Sequence, residues 1–176
     1  MKTIQYLEYK SPYGVLILGD YEGKLCLCDW KYRKQRTAID DRIKKGLNAQ
    51  MIESNTPLIE ETIRQLELYF NKKLKDFEIP MMLVGTEFQK SVWEALIKIP
   101  FGKTMSYMEL SIKLLQPKAI RAIAAANGAN ALSILIPCHR IIGSDGALVG
   151  YAGGLECKKK LLQLENHIQI QYELEF

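Results

Sequence analysis

The sequence predicts an α/β protein in two lobes: a small N-terminal lobe built on an antiparallel three-stranded sheet, and a helical C-terminal lobe that contains a helix-turn-helix. Three observations carry this. The first thirty residues alternate apolar and polar side chains in strand-length runs, the apolar positions after Thr56 recur at helical spacing, and Pro80 interrupts the pattern between the two regions. A chain of 176 residues suffices for one good core or for two small lobes. The division expected is residues 1–80 and 81–176.

TIQYLEYK, GVLILGD and KLCLCDW are the three strands, and SPYG and DYEGK between them are turn-forming. Residues 31–55 are charged and weakly patterned, and read as loop with room for a short helix. Thr56-Pro57 then opens a helix, with Thr as cap and Pro in the first turn, and Ile59, Ile63, Leu66 and Phe70 form its apolar face. Two further helices begin with capping boxes, at Thr86–Gln89 and at Ser106–Glu109. The first has Phe88, Val92, Trp93, Leu96 and Ile97 as its apolar face. Gln116-Pro117 stops the second, and a new helix starts near Lys118 and runs out at Gly128.

Helix, short turn, helix is the layout of a helix-turn-helix. The second helix has a thin surface, with Ala122, Ala124, Ala125 and Ala126 and a single long charged side chain, Arg121, after Lys118. Such a helix can enter a nucleic-acid groove closely. The same alanines equally suit packing against a neighbouring helix. Between Lys98 and Lys160 nine basic residues face three acidic ones, a balance that suits a phosphate-bearing partner or a solvated surface.

No stretch approaches the length of a membrane span, and the first residues, MKTIQ, lack the apolar run of a secretory signal. A cytoplasmic protein is expected. The four cysteines, at 26, 28, 138 and 157, have neither the density nor the spacing of a disulfide scaffold. Cys26 and Cys28, with only His139 and His167 elsewhere, are too few for a structural zinc, and read as core residues on one face of a strand.

SILIPCHRIIGSDG is the informative stretch. Ser133–Ile136 is short and continuously apolar, suited to a doubly buried strand that Pro137 ends, so that Cys138 is delivered from a rigid element. A thiol reacts as its thiolate and needs a base or positive charge nearby. His139 adjoins it, and a third group should orient the imidazole; the residues alone leave open which carboxylate does so, Glu165 at the end of the last helix being one.

Ile136-Pro137-Cys138-His139-Arg140, followed by Gly150-Tyr151-Ala152-Gly153-Gly154 and Leu161-Leu162-Gln163-Leu164-Glu165, closely resembles the O6-alkylguanine-DNA alkyltransferases, which reverse DNA damage directly. The resemblance reaches back through Asn130, Pro117, Ser106-Tyr107, Ile99-Pro100-Phe101-Gly102, Val92-Trp93 and Phe88-Gln89, and so spans residues 80 to 166. It implies that Cys138 accepts an alkyl group from O6 of a guanine flipped out of the duplex, with O4-alkylthymine a second candidate. His139 would be the base acting through water, Glu165 its orienting carboxylate, Asn130 the brace of the active-site turn, and Tyr107 the donor to the departing guanine.

It further implies that Arg121 fills the gap in the base stack, with Lys118, Ala122, Ala125 and Tyr107 at the DNA. Pro137, Tyr151, Ala152, Gly153 and Arg140 would line the pocket. Ala152 stands where some members have serine, so that side-chain contact to the base is absent. Arg140 fits a structural role, holding the loop through a carboxylate or carbonyls. The resemblance implies no cofactor and no metal, and a monomer with damaged duplex DNA as its partner. Transfer to sulfur gives a thioether, so one molecule repairs one lesion.

Two other classes compete. An alkyltransferase-like DNA-binding protein typically lacks the cysteine, which is present here. A cysteine hydrolase with a Cys-His-Glu set would need an oxyanion hole, for which the sequence has no independent sign, and would leave the thin helix and Arg121 without a role.

Overall fold

The computed structural model describes residues 1–165, and it divides into two compact units, Met1–Thr86 and Glu87–Phe176. His167 lies outside the described residues.

The N-terminal unit is built on a sheet of four strands in the order β3-β2-β1-β4. β1 (Lys2–Ser11), β2 (Gly14–Tyr21) and β3 (Lys24–Trp30) form the expected antiparallel meander. Glu22 and Gly23, both at positive φ (50° and 82°), close the second hairpin, the backbone twist that a tight β-turn needs, and the Asp20 carboxylate accepts the Gly23 N–H at 2.9 Å.

The fourth strand is a correction to the three-stranded expectation. β4 (Ala49–Glu53) pairs in parallel with β1, Lys2 opposite Ala49 and Tyr6 opposite Glu53. Of its five residues only Ala49 is buried, so this edge strand is held by main-chain bonds and leaves no alternation to read. The segment before it holds a helix longer than the short one expected, the twelve-residue α1 (Arg36–Leu47), with only Ile39 and Ile43 buried. Charge replaces apolar periodicity there. The fully buried Asp29 of β3 accepts from Arg33 at 2.8 Å and from Arg36 at 3.1 Å, and Arg36 also reaches Asp40 at 2.7 Å. Removing one partner of such a buried set strands the others, which is what makes it specify the helix position.

α2 (Pro57–Phe70) begins as its sequence demands, with Thr56 Oγ1 accepting the Ile59 N–H at 3.1 Å and Pro57 in the first turn. It buries Ile59, Thr62, Gln65, Leu66 and Tyr69. Beyond Pro80 the chain lies along β3, exchanging Leu25 N–H to Pro80 O and Met82 N–H to Leu25 O, each 2.8 Å. Cys26 and Cys28 are buried thiols in this core; burial pushes Cys26 up to about 12 and Cys28 higher still, which keeps both protonated and inert.

In the C-terminal unit, α3 (Glu87–Ile97) buries Val92, Trp93 and Leu96, while Ile97, expected on the same face, is exposed. Trp93 Nε1–H donates to the carbonyl of Ala126 at 2.8 Å, fixing α3 to α5 (Ile120–Gly128). α4 (Tyr107–Lys113) carries a complete capping box: Ser106 Oγ accepts from Glu109 N–H at 3.0 Å, and Glu109 accepts from Ser106 N–H at 2.8 Å. α4, the turn through Pro117 and α5 form the helix-turn-helix. The alanines of α5 divide between two roles, Ala126 packing inward with Ile123 while Ala122 and Ala125 stay exposed beside Arg121. α6 (Leu155–Leu164) closes the described chain, and β5 (Met105–Ser106) and β6 (Ile141–Ile142) make a two-residue parallel pair. No helix among the described residues is long and apolar enough to cross a membrane.

Ser133–Ile136 is not the strand that its composition suggests. It is a tight turn with Ile134 at φ 73°, closed by Ile136 N–H to Leu132 O at 2.8 Å. Ser133 and three apolar residues, all buried, satisfy their burial in a turn as well as in a strand, and a polar brace, Asn130, decides between them.

Candidate active site

Asn130 is buried and uses both ends of its carboxamide on this turn. Its Nδ2 donates to Ile136 O at 2.9 Å and its Oδ1 accepts Leu132 N–H at 3.0 Å, which offsets the strain of a β-branched residue at positive φ. Pro137 then starts a single 3₁₀ turn, Cys138–Arg140, rather than ending a strand. That turn places three consecutive functional side chains, Cys138, His139 and Arg140, in the interior.

His139 and Arg140 both converge on Glu165, the C-cap of α6. His139 Nε2 lies 2.9 Å from Glu165 Oε1, while Arg140 Nε and Nη2 donate to the two carboxylate oxygens at 2.9 and 2.8 Å. The third guanidinium bond goes to the carbonyl of Ile99 at 2.6 Å, and the guanidinium lies 5.8 Å from the centre of the Phe101 ring. The turn carrying Ile99 and Phe101 must therefore come close, and Gly102 permits it: its φ is 78°, and a Cβ there would sit 3.2 Å from the Glu165 carbonyl oxygen.

Burial works against a charged Glu165, but the bonds from His139 and Arg140 outweigh it and hold the carboxyl well below its ordinary range. Burial lowers His139, more than the carboxylate beside it raises it, and the charges of Arg140 and Lys158 push the same way. The pair is thus an ionised carboxylate and a neutral imidazole. An ionised carboxylate can only accept, so Nε2 carries the imidazole proton and Nδ1 is left as a lone pair. Nδ1 is buried and finds no hydrogen-bond partner among the described residues.

Tyr151 stands edge-on to His139, ring centres 6.4 Å apart, in the Gly150–Gly154 loop that also carries Ala152 and Gly153. Tyr107, the first residue of α4, is raised by burial and by the Cys138 charge, and accepts a hydrogen bond from Asn127 Nδ2 at 3.3 Å; it is a neutral phenol. Lys118, Arg121, Ala122 and Ala125 are all exposed on α5 and the turn before it, outside this buried group.

Comparison with known proteins decides the family. A model of the 6-O-methylguanine DNA methyltransferase DNA-binding domain matches residues 87–167, and one of the 6-O-methylguanine DNA methyltransferase ribonuclease-like domain matches residues 4–83. The chain belongs to the 6-O-methylguanine DNA methyltransferase family. Relatives named methylated-DNA–protein-cysteine methyltransferase include one from Methanosarcina barkeri, 44% identical over 90% of this chain and 94% of its own length. Another, from Haemophilus influenzae, is 38% identical over 94% of this chain and 88% of its own. The crystal structure of Mycobacterium tuberculosis OGT in complex with DNA is similar at a TM-score of 0.77 and 34% identity, covering 93% of this chain and 92% of that one.

Two side chains of this family member lie outside the motifs that its sequence displays. Lys158 is fully buried, with Nζ donating to the carbonyls of Val149 at 3.0 Å and Gly150 at 3.2 Å, so it pins the Tyr151 loop to α6. Burial lowers it to about 8, opposed by attraction to Cys138. That attraction favours the charged form of Lys158. The sequence does hold a signal for it, because Lys158 shares a helical face with Leu161, Leu162 and Glu165. Asn127, inside the alanine-rich helix, has no comparable signal. Among the described residues, no group of three or more His, Cys, Asp or Glu is placed to hold a metal ion.

Proposed function

We propose that this methyltransferase repairs O6-alkylguanine in DNA by moving the alkyl group onto Cys138, once per molecule. The buried Cys138-His139-Glu165 set, clamped by Arg140, is the observation that carries this reading. The sulfur attacks the alkyl carbon as the carbon–O6 bond breaks, and that bond's electron pair leaves with guanine. His139 Nδ1 takes the thiol proton through a water, Glu165 steadies the resulting imidazolium, and Tyr107 gives a proton to the departing base. A soft thiolate suits displacement at carbon, and the thioether product has no hydrolytic exit. Asn130 acts by positioning the turn, and Pro137, Tyr151, Ala152 and Gly153 line the pocket.

Duplex DNA is the partner, bound by residues 81–176 through the exposed face of α5. Lys118 meets the backbone, Ala122 and Ala125 allow a close approach, and Arg121 occupies the place of the flipped nucleotide. The protein acts as a cytoplasmic monomer without cofactor. Arg121→Ala should slow repair of a duplex by roughly tenfold to a hundredfold, the scale of an unstacking cost, while leaving transfer from free O6-benzylguanine unchanged. Equal loss on both substrates, in single-turnover assays, would remove Arg121 from the flipping step.

The pH profile follows from the two shifted groups. His139 lies below its ordinary 6.5, so it is a neutral base above that value and is lost only on the acid side. Lys158 is cationic below about 8 and neutral above, so its support of the thiolate fades there. The single-turnover rate constant should be flat between these limits and fall on both sides, and Lys158→Met should flatten the alkaline limb at a lower rate. An unchanged alkaline limb in that variant would assign it to another group.

A further inference from the structure

We propose that Asn127 is a positioning residue for alkyl transfer, turning the Tyr107 hydroxyl so that its single proton is aimed at the departing guanine. The inference rests on the reading of Tyr107 as the donor. Asn127 lies on the inward face of α5, almost wholly buried, one residue beyond the Ala126 carbonyl that Trp93 holds. Its Nδ2 donates to Tyr107 Oη at 3.3 Å, and its Oδ1 is buried with no hydrogen-bond partner among the described residues.

A phenol has one proton to give and an oxygen that accepts. With Nδ2 against Oη, the phenol accepts from Asn127 and its own O–H remains for the base. With the amide reversed, Oδ1 would take that proton and the donor to guanine would be lost. The observed orientation leaves a buried carbonyl oxygen without a donor, a cost the fold carries at the one place where the alternative would disarm Tyr107. The same Nδ2–H bond also favours negative charge on the phenol oxygen, as burial disfavours it, so it supports the oxygen as its proton leaves.

The test compares two methyl donors on the full-length protein. From O6-methylguanine in a duplex the leaving group needs a proton; from methyl iodide, iodide leaves without one, and both reactions end as a thioether at Cys138 that peptide mass mapping quantifies. Asn127→Ala should slow transfer from the duplex about tenfold, the worth of one buried hydrogen bond, and leave methylation by methyl iodide unchanged. Asn127→Asp, which can only accept, should be slower than the alanine variant on the duplex. Tyr107→Phe should be slow by itself, and adding Asn127→Ala to it should cost nothing more.

Loss of both reactions together in Asn127→Ala, or multiplication of its effect with that of Tyr107→Phe, would overturn the proposal, since either marks a general disturbance of the site. Wild-type rates in Asn127→Ala with Tyr107→Phe slow would overturn it alone. A Tyr107→Phe variant at the wild-type rate would instead sink the reading of Tyr107 on which it rests.

Discussion

Cys138→Ala is expected to abolish alkyl transfer while leaving binding to an O6-methylguanine duplex essentially intact. In the proposed mechanism the Cys138 thiol is the group that forms the bond to carbon, so nothing substitutes for it. The side chains proposed to bind DNA lie on α5 and the turn before it, and are untouched by the change. Truncating the buried –CH2SH side chain to a methyl group costs on the order of 1 kcal/mol, too little to unfold a domain. Cys157 is no substitute acceptor, because burial pushes its thiol up to about 12 and keeps it protonated at neutral pH. Residual transfer in this variant, measured with a labelled methyl group, would overturn the assignment of the nucleophile. Fluorescence anisotropy on the same duplex measures the binding half of the prediction.

Glu165→Ala should be the most damaging substitution for stability. The carboxylate takes two hydrogen bonds from Arg140 and one from His139, all three residues being buried. Its removal leaves a guanidinium inside without its counter-charge, a change that costs about 3–5 kcal/mol. A fall in Tm of roughly 10 °C or more is expected by calorimetry. Transfer should be lost with it, because the imidazole loses both its orientation and the charge that supports its protonated form. The acid behaviour gives a separate check. Glu165 titrates in the folded protein below its ordinary 4.5, so the stability it contributes is complete above that value and is lost as pH falls toward the folded-state value. The variant should lack that part of the acid unfolding. A variant with wild-type Tm and an unchanged acid limb would show the carboxylate to be dispensable.

Much of the fold is legible in the amino-acid sequence, for identifiable reasons. Thr56-Pro57 and Ser106-Tyr107-Met108-Glu109 announce helix starts because capping is a local bond between a side chain and the next turn. The three strand-length runs announce the meander because turn-forming residues separate them; β2 and β3 are buried on both faces, so there it is run length and punctuation rather than alternation that carries the signal. β4 and α1 are not legible, since an edge strand with one buried residue and a helix held by Asp29, Arg33 and Arg36 carry no apolar period. Ser133–Ile136 reads as a strand and folds as a turn because composition reports burial and not backbone direction; the Asn130 carboxamide sets that direction from outside the run.

The site divides in the same way. Cys138, His139 and Arg140 are adjacent in sequence, and a single 3₁₀ turn suffices to gather them. Glu165 is 26 residues from His139, and only the packing of α6 brings it there. Lys158 is hidden by its charge, which reads as surface, and Asn127 by the alanines around it.

Everything in the proposed mechanism converges on one outcome: the alkyl group ends on Cys138 and stays there. Intact-protein mass spectrometry after incubation with excess duplex containing O6-methylguanine, followed by peptide mapping, reads that outcome without an intervening assumption. One methyl increment per molecule is expected, on the peptide bearing Cys138, with the amount of repaired guanine equal to the amount of protein. Tight binding to the lesion with no increment, or repair of more guanine than there is protein, would refute single transfer to this cysteine.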